Sequence, residues 1–238
     1  MNFPKAETFP QSVMRERSMG PNPLKLCEEL LAYADIPAGS VVLDLGSGAG
    51  LTSALMAREY GYVVYAAGLW SDPSVNMRFF EACGLTNQQV IPLKADATAL
   101  PFAHGFFDAV VSVDSYNYFG RDPEYLGERL LPLVKRGGEL LLAIPGMACD
   151  CHDDVPACLL RSWTPEQLDY MHDMAWWRAN LEQTEGAEVL DMREMACTRE
   201  AWADWLECDN EYAAGDRAAV EAGALTYLNT IAVRLRRR

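Results

Sequence analysis

Basic residues are scarce in this chain. Its 238 residues carry 20 Lys and Arg against 34 Asp and Glu, for a formal net charge of −14 at pH 7. A surface of that sign repels phosphate, which argues against DNA or RNA as a partner. The one basic cluster (Arg234, Arg236, Arg237 and Arg238) reads as a solubilising end to a strand. Long apolar runs are also missing, and none approaches the ~20 residues of a membrane span. Residues 1–20 mix Lys, Glu and Arg with scattered apolar side chains and lack the apolar stretch of a secretory leader. A cytoplasmic protein with no membrane partner is therefore expected. No disulfide framework is visible either. The seven cysteines, Cys27, Cys83, Cys149, Cys151, Cys158, Cys197 and Cys208, are odd in number and irregular in spacing. Cys149-x-Cys151-His152, with Asp153 and Cys158 nearby, lacks the C-x2-C spacing of zinc sites, so no metal is predicted. Internal repeats and low-complexity tracts are absent.

What remains is an ordinary globular composition, 50% hydrophobic and 23% charged, of a length that suits one large α/β domain. Its centre is Val41-Val42-Leu43-Asp44-Leu45-Gly46-Ser47-Gly48-Ala49-Gly50. The run from Val41 to Leu45 has the length and β-branched content of a buried parallel strand. Good helix formers follow from Leu51 to Tyr60. Glycines between a strand and a helix let the backbone turn tightly and approach a ligand, and the helix N-terminus offers free N–H groups at the same place. A dinucleotide site requires G-x-G-x-x-G, whereas here the glycines fall at 46, 48 and 50 and position 51 is Leu. The spacing is D-x-G-x-G-x-G. Asp44 inside it disfavours a pyrophosphate and suits the ammonium of an amino-acid cofactor.

Along the chain, residues 1–20 read as an irregular polar arm. Asn22 and Pro23 start a helix that Pro37-Ala38-Gly39 ends. Further strands are predicted at 62–67, 90–94, 106–113 and 139–144. Helices are predicted at 72–80 and 125–134, the latter stopped by Gly137-Gly138. Residues 147–180 break the alternation and carry Cys149, Cys151, His152, Trp163, His172, Trp176 and Trp177. They read as an insertion over the carboxyl ends of the strands, where open α/β sheets bind ligands, with a helix over 165–185. A strand at 189–192, a helix containing Trp202 and Trp205, and a strand at 226–235 close the chain.

The motif, the order of elements and the run from Gly20 onward resemble the class I S-adenosylmethionine-dependent methyltransferases, within a bacterial small-molecule subfamily. That resemblance implies a single α/β domain over 1–238 with a Rossmann-like, mostly parallel seven-stranded sheet and helices on both faces. It also implies an antiparallel pair at one edge and an inserted helical lid over 147–180. S-adenosyl-L-methionine is the implied cofactor, with S-adenosyl-L-homocysteine as product. The implied cofactor contacts are Asp44, Gly46, Ser47, Gly48, Gly50, Gly68, Leu69, Asp96, Ala97 and Asp114. One position departs from the family pattern: Gly68 stands where an acid at the end of the second strand bonds the ribose hydroxyls, and Asp72 is the nearby carboxylate. Lys135-Arg136-Gly137-Gly138 fits the family's Pro-Gly-Gly-like turn before strand five, with Arg in place of Pro.

Methyl transfer from a sulfonium mainly requires positioning and desolvation, with a base only where the nucleophile arrives protonated. The implied catalytic residues are His172, Asp114, Tyr116 and Tyr118, with His152 and Trp176 as further lining, around a small-molecule substrate. Three other readings stay open. Gly68 motivates a degenerate cofactor-binding or regulatory protein, and Cys149, Cys151 and Cys158 motivate thiol-assisted methylation of a metalloid. A nicotinamide oxidoreductase is disfavoured by Asp44 and Leu51.

Overall fold

The computed structural model describes residues 2–238. In chain order the main elements are α1 (Gln11–Arg17), α2 (Pro23–Leu31), β1 (Val41–Leu45), α3 (Leu51–Glu59), β2 (Val63–Gly68) and α4 (Pro73–Ala82). Next come β3 (Val90–Lys94), β4 (Phe107–Val113), β5 (Val134–Met147), α5 (Pro165–Leu168), β6 (His172–Asp173) and α6 (Met174–Glu182). β7 (Ala187–Glu194), α7 (Thr198–Leu206), α8 (Glu211–Glu221) and β8 (Leu228–Arg237) complete the chain. Among the described residues no helix is long and apolar enough to cross a membrane.

Seven strands lie in the order β3-β2-β1-β4-β5-β8-β7, parallel except for β8, which runs antiparallel to both of its neighbours. Side-chain alternation sends the strands into two cores. Val42, Ala109, Val111, Leu141 and Ala143 pack on one face with α2 and α3. Leu43, Leu45, Val110, Leu140, Leu142 and Ile144 pack on the other with Trp177 and Leu181 of α6. Both faces are apolar, so both must be covered, as the strand sequences predict. The Arg-rich end is not merely solubilising. Arg234 grips Glu139 of β5 through Nε and Nη2, at 2.8 and 2.7 Å, and Arg236 joins at 3.1 Å.

Four expectations need correction. An eighth strand, β6, pairs with β5 through Gly146↔His172 and Met147↔Asp173, on the side that β4 leaves vacant after Val113. The helix expected over 165–185 is therefore split, and Asp173 caps α6 by accepting from the Trp176 amide at 2.8 Å. The helix expected over 125–134 is a π turn (Leu126–Leu130) followed by a 3-10 turn (Leu131–Leu133). Pro132, which has no N–H to donate, keeps an α-helix from continuing there. Gly137-Gly138 consequently sits inside β5, in an irregularity between Phe107↔Val134 and Ala109↔Glu139, and a Cβ on Gly138 would lie 2.5 Å from the Asp108 carbonyl.

The fourth correction concerns residues 1–20. Phe3, Ala6, Phe9 and Met14 are buried in the first core, and the Lys5 and Ala6 amides donate to Glu28 of α2 at 3.1 and 2.7 Å. The neighbouring Glu29 carboxylate accepts the Ala196 and Cys197 amides at 2.9 and 2.8 Å, at the start of α7. Two adjacent glutamates on α2 thus tie the N-terminal segment and α7 to the sheet. A third core joins Met147, Leu159 and Leu168 of the inserted segment to Trp202, Trp205, Ala213, Ala219 and Leu228. Its tryptophans fill space between these layers rather than standing free.

Candidate functional site at the carboxyl edge of the sheet

The glycine-rich turn is built by three glycines with different duties. All three have positive φ: +84° at Gly46, +49° at Gly48 and +91° at Gly50. A Cβ on Gly46 would strike the Ser115 side chain, and one on Gly50 would lie 2.7 Å from the buried Phe80 ring. At Gly48, which is exposed, an added Cβ meets no atom within 4 Å. Gly46 and Gly50 therefore lock the turn onto the protein, while Gly48 faces open space. Asn76 holds that arrangement by donating to the Gly48 carbonyl at 2.9 Å.

Asp44 is buried, and its Oδ2 accepts from the Thr52 hydroxyl at 2.6 Å and from the Ser53 hydroxyl. Burial raises its carboxyl to about 6, against those two stabilising bonds. Ser47 is also buried, and its Oγ has no hydrogen-bond partner. Buried hydroxyls are almost always satisfied, so this one is free to bond a ligand that reaches it. It lies 3.3 Å from where a Cβ on Gly68 would stand. Leu69 and Trp70, at the same strand end, are 40% and 91% exposed, so Trp70 is not a core residue. Asp72 caps α4 through the Ser74 amide at 2.7 Å. Asp96 is exposed and binds the amide and hydroxyl of Thr98, both at 2.8 Å. Ala97 is half-buried, and its carbonyl accepts from Tyr125 at 3.0 Å.

Arg17 reaches this turn without any signal in the sequence pattern. Only Val13 and Met14 are apolar within α1, so no periodic stripe announces that helix. Its guanidinium donates to the Ala49 carbonyl at 2.6 Å and lies 3.8 Å over the Phe79 ring. Burial lowers its pKa. Among the described residues no carboxylate forms a salt bridge with it.

β4 delivers Asp114 to the same edge in the left-handed region, at φ +55°, where Asp is among the few tolerated side chains. A Cβ on Gly20 would strike its Oδ2, so any larger residue at position 20 must displace the Asp114 carboxylate. Burial, with the Asp216 charge second, pushes the half-buried Asp114 carboxyl up to about 7. Asp216 on α8 accepts from Trp205 Nε1 at 2.8 Å and from Ser162 Oγ, and so fastens the inserted segment to α8 beside Asp114.

Of the other implied catalytic residues, Tyr118 stands apart from Tyr116 and His172. Tyr118 is exposed, its ring 5.3 Å from Tyr170, which Arg121 covers at 4.3 Å. Tyr116 is fully buried against Phe119, Tyr125 and Trp177, with its hydroxyl enclosed and unbonded. In this structure it is a packing residue, because the aromatic cluster leaves its ring no free face. His172 is buried, stacked on Trp176 at 3.7 Å with 12° between planes, and 5.1 Å from His152. Burial, then His152, lowers its pKa, so it is neutral at pH 7. Tyr116 and His172 both touch Trp177, at 5.9 and 6.2 Å, which places them in one aromatic cluster.

Residues 43–142 match the family described as a methyltransferase domain. Over 110 residues the chain is 37% identical to the 2-methyl-6-phytyl-1,4-hydroquinone methyltransferase of Synechocystis sp., covering 45% of this chain and 33% of that protein's length. The fold is shared with geranyl diphosphate C-methyltransferase from Streptomyces coelicolor A3(2), crystallised with Mg2+, geranyl diphosphate and S-adenosyl-L-homocysteine. That match has a TM-score of 0.72 at 15% identity and covers 90% of this chain and 78% of the other. The cyclase SpnF shares it as well, with a TM-score of 0.64 at 19% identity over 90% of this chain and 80% of the other. At such identities the solved structures speak for the fold alone. The matched residues 43–142 hold the glycine-rich turn and the parallel strands around it, so this part of the chain is similar to a methyltransferase domain, in a fold that the solved neighbours share.

Proposed function

We propose that this chain binds S-adenosyl-L-methionine at the turn of residues 46–50 and transfers its methyl group to a small molecule held beneath the segment 147–180. The observation that carries the reading is the open face at Gly48, bordered by the unpartnered Ser47 hydroxyl. When bound, the cofactor supplies a methyl group on a sulfonium and leaves as S-adenosyl-L-homocysteine.

The chain's own groups suit each end of such a molecule. The family resemblance assigns Ser47 and the end of β2 at Gly68 and Leu69 to the ribose, with Asp96 and Ala97 beyond them after β3. Arg17 offers a guanidinium without a carboxylate partner at Ala49, suited to the cofactor's carboxylate. Asp114, with its carboxyl near 7, is the group best suited to take a proton from an acceptor that arrives protonated. The net charge of −14 speaks for a small-molecule substrate rather than a nucleic acid. Gly68 favours a second reading, in which the cofactor binds weakly and turnover is absent. Turnover against a panel of small methyl acceptors separates the two.

Titration calorimetry tests the binding step. Saturable heats with S-adenosyl-L-methionine or S-adenosyl-L-homocysteine, and none with NAD, are expected. Saturable NAD binding with silence toward both sulfur cofactors overturns the proposal.

A further inference from the structure

Three side chains of the inserted segment converge although the sequence separates them. Asp150 and His152 stand on the loop that leaves β5, and His172 stands on β6. One donor atom from each lies within 4.8 Å of the other two. The family resemblance makes His172 a candidate base and His152 a lining residue, but the methyl transfer proposed above rests on Asp114 and on none of these three, so a metal site here stands independently of it.

We propose that Asp150, His152 and His172 form a binding site for a borderline first-row divalent cation of the Zn2+ type, with one coordination position left to water or an oxygen donor. Two imidazoles and a carboxylate are the donor set such cations select, and three protein ligands are the number that leaves a position open.

The state of each ring supports this. His152 Nε2 lies 3.2 Å from the Leu168 carbonyl. Nδ1 lies 2.7 Å from Asp150 Oδ1, to which it donates in the absence of an ion, and releasing that proton would present its lone pair to one. A ligating histidine whose second nitrogen donates to a backbone carbonyl is the usual outer-shell arrangement. His172 is 9% exposed, and its buried Nδ1 has no partner. Leaving such a group unsatisfied is unfavourable, and a ligand at that nitrogen would remove the cost. An ion pair between Asp150 and His152 explains those two residues and leaves His172 unexplained.

The ring is also held in place. Trp176 stacks on it at 3.7 Å, and its backbone is registered to Gly146 of β5. Asp150 is the exposed member, its side chain half open to solvent, which gives the ion a path to the site. Metal–nitrogen and metal–oxygen bonds of about 2.0–2.2 Å set donor atoms roughly 3.3–3.5 Å apart. The Asp150–His152 pair must open by less than about 1 Å, and the widest separation must close by a little more than that. Arg121, the cation of this neighbourhood, is already paired with Asp169 at 2.6 Å. The thiols are not members of the set: Cys151 Sγ turns to the Met147 sulfur at 3.6 Å, and no cysteine falls within the converging group.

Zn2+ titration of the chelator-treated full chain by calorimetry, with Co2+ absorption as the spectroscopic readout, tests the site. One ion per chain is expected, with a Co2+ spectrum free of thiolate charge-transfer bands. His152→Ala and Asp150→Asn, both on the surface loop, are each expected to weaken binding at least tenfold. His172→Ala removes a buried ring and risks the fold, so the loop variants decide. The triple variant Cys149→Ser, Cys151→Ser, Cys158→Ser is expected to bind like the parent. The absence of saturable binding, unchanged affinity in both loop variants, or loss of binding in the triple serine variant overturns the assignment.

Discussion

Gly48 and Gly50 occupy the same motif, yet adding one methyl group to each should harm the protein in different ways. Alanine at Gly48 must adopt φ +49°, which costs about 1–2 kcal/mol for an L-residue, and its Cβ meets no protein atom within 4 Å. In a chain of this size each kcal/mol lowers Tm by roughly 2–4 °C, so Gly48→Ala should melt about 2–8 °C below the parent. Its methyl group occupies the space assigned to the cofactor. S-adenosyl-L-homocysteine binding should therefore fall at least tenfold, or about 1.4 kcal/mol. Alanine at Gly50 takes φ +91° and puts its Cβ 2.7 and 2.8 Å from two carbons of the buried Phe80 ring. Overpacking of about 1–3 kcal/mol adds to the backbone strain, for a total of roughly 2–5 kcal/mol of lost stability. That methyl points into the core, so affinity per folded molecule should change less than in Gly48→Ala. Thermal unfolding without ligand, followed by calorimetry on the folded fraction, separates the two effects. Parental affinity in Gly48→Ala would falsify the placement of the cofactor on the open face. Equal stability of the two variants refutes the packing argument for Gly50.

Gly68→Asp restores the acid that the family pattern has at the end of β2. One charge-assisted bond to the ribose should tighten S-adenosyl-L-homocysteine binding about tenfold, and the unpartnered Ser47 hydroxyl lies close enough to adapt to the new side chain. An unchanged constant in a folded variant means that another group, such as Asp72, already holds the ribose. A third prediction concerns pH. The Asp114 carboxyl titrates near 7 in the folded chain against 3.8 for the free side chain. Its neutral form is thus favoured by folding, and the associated stability is present below about pH 4 and lost as pH rises through about 7. Denaturant unfolding of the parent and of Asp114→Asn across this window should show the parent alone losing that increment. Asp44, also raised to about 6, is common to both proteins and cancels. Parallel stability curves sink the argument.

The sequence by itself determined the sheet and its ligand-binding edge. Val41 to Leu45, the glycines at 46, 48 and 50, and the helix formers after them are neighbours along the chain. Their period, turn chemistry and propensities act over a few residues, so β1, α3 and most of the parallel strands were legible. The antiparallel edge of β8 and β7 was implied by the family resemblance. Tertiary structure alone decided what gathers at that edge. The split of the helix over 165–185 depends on β5 running past the end of β4 and leaving a free ladder for His172 and Asp173. The contact of Arg17 with Ala49 depends on Phe3, Phe9 and Met14 burying a segment whose own pattern reads as polar. Tyr116 was drawn into the core by Phe119, Tyr125 and Trp177, partners set by packing rather than by spacing. Asp114 facing Gly20 and Asp216, and Asp150 with His152 meeting His172, likewise join residues from separate elements. Such meetings are fixed by strand register, the volume of buried rings and the cost of burying charge, none of which a local window of sequence contains.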